Sequence, residues 1–275
     1  MEGTTVDWLG IMITAGSRDC TFRHAFVQKI TPVRDTIASG RYDVRFAWRA
    51  VALAVRALWV SRRPLALIRD ALRWLVRTAV AMNAGRVRWD APCRLWAAAT
   101  EQLNHVWEWL TSAQGAFRVW VPDPVTAGWG MSDAAGGSHG ARGWIVRIGD
   151  VVTVARLASG ALHINFEEFA AMSSGLSYLV ANAPSGTAPW YGDNTTANGW
   201  MTRSWSPRAR HNDAVLHLAQ QRERRRVETP IRWVPGDDLN MSDIITRDRP
   251  EYPRLMPRAT WIARREARYT GSDFL

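Results

Sequence analysis

The chain has 275 residues, and a hydrophobic content of 47% excludes a disordered protein. Its 35 basic and 25 acidic residues give a net charge of +10, which favours a polyanionic partner, most simply nucleic acid. Lys29 is the only lysine, and either bidentate phosphate binding by arginine or GC-rich coding explains this bias. Cys20 and Cys93 stand alone, so neither a zinc site nor a disulfide framework is indicated and a reducing compartment is expected.

Two further features bear on location. The most apolar stretch, residues 50–60, contains Arg56 and is too short and too charged to span a bilayer. The first residues show no basic segment followed by an apolar run, so no signal peptide is expected. We therefore expect an intracellular protein without a membrane partner, and the basic charge fits a nucleus or a mitochondrion.

The first part of the chain is expected to be helical. Residues 1–40 show little periodicity and form a poorly defined N-terminal segment, whereas residues 41–115 have apolar positions at helical spacing. Two helices interrupted at Pro64 are predicted within 41–83, and a third helix within 92–111. The arginine faces of these helices are either simply solvated or follow a nucleic acid. Residues 116–124, which include two prolines, are expected to be a linker.

Residues 125–249 alternate between strand and helix patterns, and residues 250–275 form a basic tail. Gly149-Asp150 joins two alternating runs and is typical of a two-residue hairpin turn. The order β-β-β-α-β-α-α-β-α predicts an α/β domain with a mixed sheet flanked by helices. The predicted strands are 126–134, 141–148, 151–158, 188–193 and 228–234, and the predicted helices are 165–182, 195–202, 208–225 and one from about Ser242.

Four acids from distant parts of this region each fall where a strand ends or a helix begins. They are Asp133, Glu168, Asp193 and Asp243. This placement brings them to one end of one sheet, as a cluster of hard oxygen ligands without Cys or His. Such a cluster is typical of a magnesium or manganese site rather than a zinc site.

Each acid also has a purely structural interpretation. Asp133 could begin a turn, and Glu168 could complete a capping box with Asn165. Asp193 or Asn194 could cap the helix that follows, and Asp243 could be stabilised by a helix dipole. Glu167 lies about 100° round the helix from Glu168 and should point elsewhere.

The four local sequences together resemble the type I ribonuclease H domain of retroelement polyproteins. The resemblance rests on Asp133 followed by small residues, Glu168-Phe-Ala-Ala, Asp193-Asn-Thr-Thr-Ala, and Trp233-Val-Pro-Gly before Asp243. These segments are most similar to the corresponding segments of tyrosine-recombinase retroelements, including those of trypanosomatid genomes. The resemblance implies a ribonuclease H-like, mixed five-stranded sheet over 125–249. It also implies that 41–115 is a remnant of a thumb or connection segment.

The resemblance further implies a metal-dependent endoribonuclease that cleaves the RNA strand of RNA–DNA hybrids with two Mg²⁺ or Mn²⁺ ions. Asp133 would bridge both ions, Glu168 and Asp193 would hold the first, and Asp243 would hold the second. The alternative is a catalytically silent scaffold that binds nucleic acid or protein within a larger protein or ribonucleoprotein assembly. Candidate nucleic-acid contacts are Ser132, Asn165, Asn194, Thr195, Arg222, Arg224, Arg225 and Arg226.

Overall fold

The chain forms two compact units, residues 1–121 (unit 1) and residues 122–275 (unit 2). The division falls within the segment expected to be a linker. Among the helices that the structure describes, none combines the length and apolarity needed to cross a bilayer. The computed structural model describes residues 5–8, 11–14, 19–113, 115–118, 125–135, 141–158, 162–236, 242, 245–246 and 259–263.

In its described residues, unit 1 has a four-stranded antiparallel sheet in the order β1-β2-β3-β6, a short ribbon of β4 and β5, and five α-helices. A 3-10 turn at Leu65–Ile68 separates α3 from α4. The elements are β1 (Thr5–Trp8), β2 (Ile11–Thr14), β3 (Asp19–Phe22), α1 (His24–Gln28), α2 (Ile30–Ser39), β4 (Tyr42–Asp43), α3 (Val44–Val60), α4 (Arg69–Asn83), β5 (Pro92–Cys93), α5 (Ala97–Ser112) and β6 (Ala116–Arg118).

The helices of unit 1 follow from local chemistry. Helix α3 begins at Asp43, whose carboxylate accepts the N–H of Phe46 at 2.7 Å and caps the first turn. It ends before Pro64, which cannot donate to a preceding turn. A row of buried alanines on α3 lets neighbouring helices approach closely, and Trp107 of α5 is fully buried in the shared core.

Two parts of unit 1 differ from the expectations. Residues 1–40 contain three strands and two helices rather than a poorly defined segment. Residues 116–118, placed in the linker, pair with β3. Strands of three or four residues are too short to show a period-2 pattern, and their stability comes from sheet pairing and from buried side chains such as Phe22.

Unit 2 contains a mixed sheet in the order β13-β11-β7-β8-β9-β14. Strands β7, β8 and β9 are antiparallel, whereas β11 is parallel to both β7 and β13. The elements are β7 (Trp129–Ala134), β8 (Ala141–Ile148), β9 (Val151–Ala158), α6 (Ile164–Asn182), β10 (Gly186–Thr187), β11 (Trp190–Gly192), α7 (Thr195–Thr202), α8 (Ala209–Arg225), β12 (Val227–Glu228), β13 (Ile231–Trp233) and β14 (Ala259–Ala263).

The expected mixed sheet flanked by helices is confirmed in unit 2, where the five predicted strands correspond to β7, β8, β9, β11 and β13. The hairpin between β8 and β9 turns at Gly149, whose φ of +58° is readily adopted by glycine. The sixth strand, β14, lies in the expected basic tail and pairs in parallel with β9.

Contacts with tryptophan rings set how α6 packs on the sheet, and Gly175 of α6 lies against both Trp190 and Trp144 of β8. Trp190 of β11 is fully buried, and its ring lies against Gly130 of β7 and Gly175 of α6. A Cβ at either glycine would be 2.2 Å from a ring carbon, so the close approach depends on both glycines. The N-terminal end of α6 then lies at the same sheet edge as the carboxyl ends of β7 and β11.

Candidate metal centre

Three of the four acids predicted from the sequence converge at this edge of the sheet. Asp133, Glu168 and Asp193 each offer an oxygen, and these oxygens lie within 4.8 Å of one another. Asp133 is near the end of β7, and Asp193 follows β11. The parallel register pairs Trp190 with Gly130, and three further residues along each chain bring Asp193 level with Asp133. Glu168 reaches the same point from the first turns of α6.

Hydrogen bonds hold two of these carboxylates in place. The Ala134 N–H donates to Oε1 of Glu168 at 3.1 Å. The hydroxyl of Thr246 donates to Oδ2 of Asp133 at 2.5 Å. Asp133 and Glu168 are 8% and 5% exposed, so both bonds form in a largely water-free environment. The cluster is therefore positioned by its own fold before any ligand arrives.

The approach to Asp193 depends on a glycine. A Cβ at Gly236 would lie 2.9 Å from Oδ2 of Asp193, so only a glycine lets the segment after β13 pass this closely. The indole N–H of Trp233 donates to the Asp193 carbonyl at 2.8 Å and fixes the same crossing. The Trp-Val-Pro-Gly motif therefore contributes to the site by packing against a carboxylate.

Burial of Glu168 close to two other carboxylates changes its protonation. Burial, followed by the charges of Asp133 and Asp193, raises the pKa of Glu168 to about 9. Without a cation, the cluster therefore holds a proton at neutral pH. A divalent cation would take the place of that proton and relieve the carboxylate repulsion, so three hard oxygen donors in this geometry fit a divalent metal ion.

The alternative role of Glu168 in a capping box is not realised. The N-cap of α6 is His163, whose Nδ1 accepts the N–H of Asn165 at 3.3 Å. The Glu168 carboxylate turns instead toward Ala134 and Asp133. Likewise, Asn194 rather than Asp193 caps α7, because its Oδ1 accepts the Ala197 N–H at 2.9 Å.

The fourth acid, Asp243, lies outside the described residues. Its neighbours Ser242, Ile245 and Thr246 are helical and buried. The hydrogen bond from Thr246 brings this helical turn to Asp133.

A buried ion pair that the sequence analysis missed lies beside the cluster. Arg142 of β8 donates to Oε2 of Glu167 at 3.0 Å, and the two side chains are 2% and 1% exposed. The Leu162 N–H donates to the other Glu167 oxygen at 3.1 Å. Glu167 does point away from the three acids, as expected. The sequence did contain a sign of this ion pair, because Arg142 lies inside the apolar run of β8 and a buried arginine needs an acidic partner.

Three of the predicted nucleic-acid contacts lie beside the acids. The Asn194 amide donates to Oδ1 of Asn165 at 3.0 Å, and Thr195 is exposed at the first position of α7. Ser132 does not belong with them. It is fully buried and its hydroxyl accepts the Trp190 indole N–H at 3.2 Å, because alternation along β7 turns it toward the core.

The predicted arginine contacts lie elsewhere in unit 2. The guanidinium of Arg225 donates to the Ala181 carbonyl, near the end of α6. Glu168 is thirteen residues earlier on the same helix, about 20 Å away at 1.5 Å per residue. Arg222 is partly buried there, and burial lowers its pKa to about 10. The structure therefore does not bring Arg222, Arg224, Arg225 and Arg226 to the acid cluster.

Aromatic side chains pack against the helix that carries Glu168. Phe169 stacks on His211 with ring centroids 4.2 Å apart, and Trp200 packs against both rings. His211 is half-buried in this group, and burial, followed by the charge of Arg208, lowers its pKa to about 4. It remains neutral at physiological pH.

No protein-family model and no curated protein matches the chain. Several solved structures are similar to part of this chain. One is the RNase H1 of the halophilic archaeon Halobacterium salinarum, at 16% identity and a TM-score of 0.35. The match covers 46% of this chain and 98% of that one. LC11-RNase H1 in complex with an RNA/DNA hybrid matches at 10% identity and a TM-score of 0.37, and the match covers 44% of this chain and 94% of that one. The N-terminal RNase H domain of a Mycobacterium tuberculosis protein matches at 19% identity and a TM-score of 0.36, covering 44% and 97%.

Proposed function

We propose that the chain is a divalent-metal-dependent endoribonuclease that cleaves the RNA strand of RNA–DNA hybrids. The observation that supports this most is the meeting of Asp133, Glu168 and Asp193 within 4.8 Å at the carboxyl edge of a mixed sheet. A purely structural role does not account for them, because the caps of α6 and α7 are supplied by other residues.

In this proposal Asp133, Glu168 and Asp193 hold Mg²⁺ or Mn²⁺, and Asp243 completes the set for a second ion. Bound divalent ions supply an activated water and stabilise the leaving oxygen of the phosphodiester. Glu168 gives up its proton to solvent when a cation binds, since the pKa of its carboxyl is about 9 without one. Thr246 keeps Asp133 in one orientation by donating to one of its oxygens.

Recognition of the RNA strand would come from polar groups beside the acids. The linked amides of Asn165 and Asn194 and the exposed hydroxyl of Thr195 are donors and acceptors of the kind that contact a 2′-hydroxyl. The segments around the four acids also support our inference of a retroelement origin. We further propose that the chain acts within a larger assembly.

The test is cleavage of an end-labelled RNA–DNA hybrid by the purified chain with Mg²⁺ or Mn²⁺, beside Asp193→Asn. The matched control is Asp150→Asn. Asp150 lies in the exposed turn after β8, and this substitution removes one negative charge, as Asp193→Asn does. We expect metal-dependent cutting of the RNA strand by the wild type and the control, and none by Asp193→Asn. Hybrid binding without cutting by all three proteins would instead support the scaffold.

A further inference from the structure

The positive charge of the chain is concentrated in the unit that does not contain the acids. Residues 1–121 contain 17 basic and 9 acidic residues, a net charge of +8. Residues 122–275 contain 18 and 16, a net charge of +2. Attraction of a polyanion therefore falls mainly to unit 1.

Unit 1 has a groove that combines arginine with an exposed aromatic ring. A cavity of about 600 Å³ lies between α4, the connection from α4 to β5, and Trp96. It shares Arg77 and Arg86 with a neighbouring cavity of about 490 Å³. It shares Pro92 and Cys93 with a third, of about 710 Å³, which continues past β5 to Arg41 and Arg94. The three form one continuous groove, which we call the α4–β5 groove.

The charges within the α4–β5 groove are unbalanced. Its two carboxylates are already engaged, because Asp90 pairs with Arg88 at 3.4 Å and Asp43 caps α3. Among the described residues, Arg77 and Arg86 have no carboxylate within ion-pairing distance. Two exposed guanidinium groups on one wall are therefore available to an anion.

An aromatic ring lies beside those guanidinium groups. Trp96 is 36% exposed, and the guanidinium of Arg77 lies over one face of its ring, 5.1 Å from the centroid, so the opposite face is the one available for stacking. Buried Trp74, with Val87, adds apolar surface to the same cavity. A ligand that suits this groove has a flat apolar group to stack on the ring and a neighbouring negative charge to pair with the guanidinium groups. An unpaired nucleotide has that chemistry.

We propose that the α4–β5 groove binds single-stranded nucleic acid. One base stacks on Trp96, and the adjoining phosphates contact Arg77 and Arg86. A cavity of about 600 Å³ has the size of a small-ligand site rather than of a duplex. The groove would hold a strand independently of the acid cluster, so the proposal goes beyond cleavage and does not depend on it.

The test uses the full chain carrying Asp193→Asn, so that an RNA probe is not cut. Binding of fluorescently labelled 15-nucleotide oligo(U) and oligo(dT) is followed by anisotropy between 50 and 200 mM KCl. Arg77→Ala/Arg86→Ala removes the phosphate contacts, and Trp96→Leu removes the stacking ring. The matched control Arg34→Ala/Arg147→Ala removes two exposed charges that do not line the groove.

We expect the double groove variant to bind at least tenfold more weakly. Its slope of log K against log salt should fall by about 1.4, since each single-strand phosphate contact contributes about 0.7. Trp96→Leu should weaken binding about tenfold with the slope unchanged, because stacking releases no counterion. Thermal unfolding of each variant confirms that unit 1 is intact.

Groove variants that bind like the control would overturn the proposal. Loss of affinity in the arginine variant alone, with Trp96→Leu unchanged, would show a general anion surface and overturn it as well. A 15-base-pair duplex that binds as tightly through the same residues would also contradict it. The ratio of the two oligonucleotide affinities identifies the preferred strand, and either order supports a single-strand site.

Discussion

Replacing Glu168 with glutamine should stabilise the metal-free protein. The carboxyl has a pKa of about 9 in the folded chain and an ordinary value of 4.5, because it is buried beside Asp133 and Asp193. Its folded-state pKa is raised, so the free energy of unfolding is highest below pH 4.5 and falls as the pH rises toward 9. Between pH 4.5 and pH 7 the loss is about 3 kcal/mol, at about 1.4 kcal/mol per pH unit. Glutamine keeps an oxygen for the Ala134 N–H and does not ionise, so it avoids this loss.

The measurement is hydrogen exchange in EDTA at pH 4.5, 7 and 8.5, read from the amides of β8 and β9. These strands belong to unit 2, so unfolding of unit 1 does not enter the result. We expect wild type and variant to agree at pH 4.5 and to differ by about 3 kcal/mol at pH 7, in favour of the variant. Adding Mn²⁺ should stabilise the wild type more than the variant. Equal stability at pH 7 would refute the electrostatic account of the cluster.

Three further predictions follow from the same geometry. Because a cation must displace the Glu168 proton, the apparent Mn²⁺ affinity should rise up to tenfold per pH unit between pH 6 and 9, and titration calorimetry should show proton release. Arg142→Met should lower the free energy of unfolding by about 3–5 kcal/mol, measured by urea denaturation, because Glu167 loses its partner while still buried. Gly175→Ala should cost about 1–3 kcal/mol in the same assay, because its Cβ would overlap the ring of Trp190.

The elements of unit 2 were predictable because each carries a local signal. The hairpin at Gly149 was marked by its turn sequence and by alternation on both sides, and the structure has both strands at the expected residues. The three described acids could be placed because a strand end or helix start fixes a side chain to one sheet edge. Their separation, burial and protonation depend on packing between distant segments and were not predictable.

The positions of the other site residues depended on packing in the same way. Ser132 was grouped with Asp133 by sequence proximity, yet adjacent residues on a strand face opposite sides. The arginines at the end of α8 stay a prediction as phosphate contacts, and the length of α6 separates them from Glu168. Arg142 was overlooked although it lies inside the apolar run of β8, and its pairing with Glu167 depends on contacts between distant segments.

The packing of Trp190 links the stability of the core to the position of the carboxylates. Its ring separates β7 from α6 by contact with one glycine on each, and its indole N–H bonds to Ser132, the neighbour of Asp133. Asp133 and Glu168 are carried by those same two elements. The thickness of the indole ring therefore contributes to the distance between Asp133 and Glu168, two of the proposed metal ligands. A change at Trp190 or at either glycine would alter the spacing of the two acids.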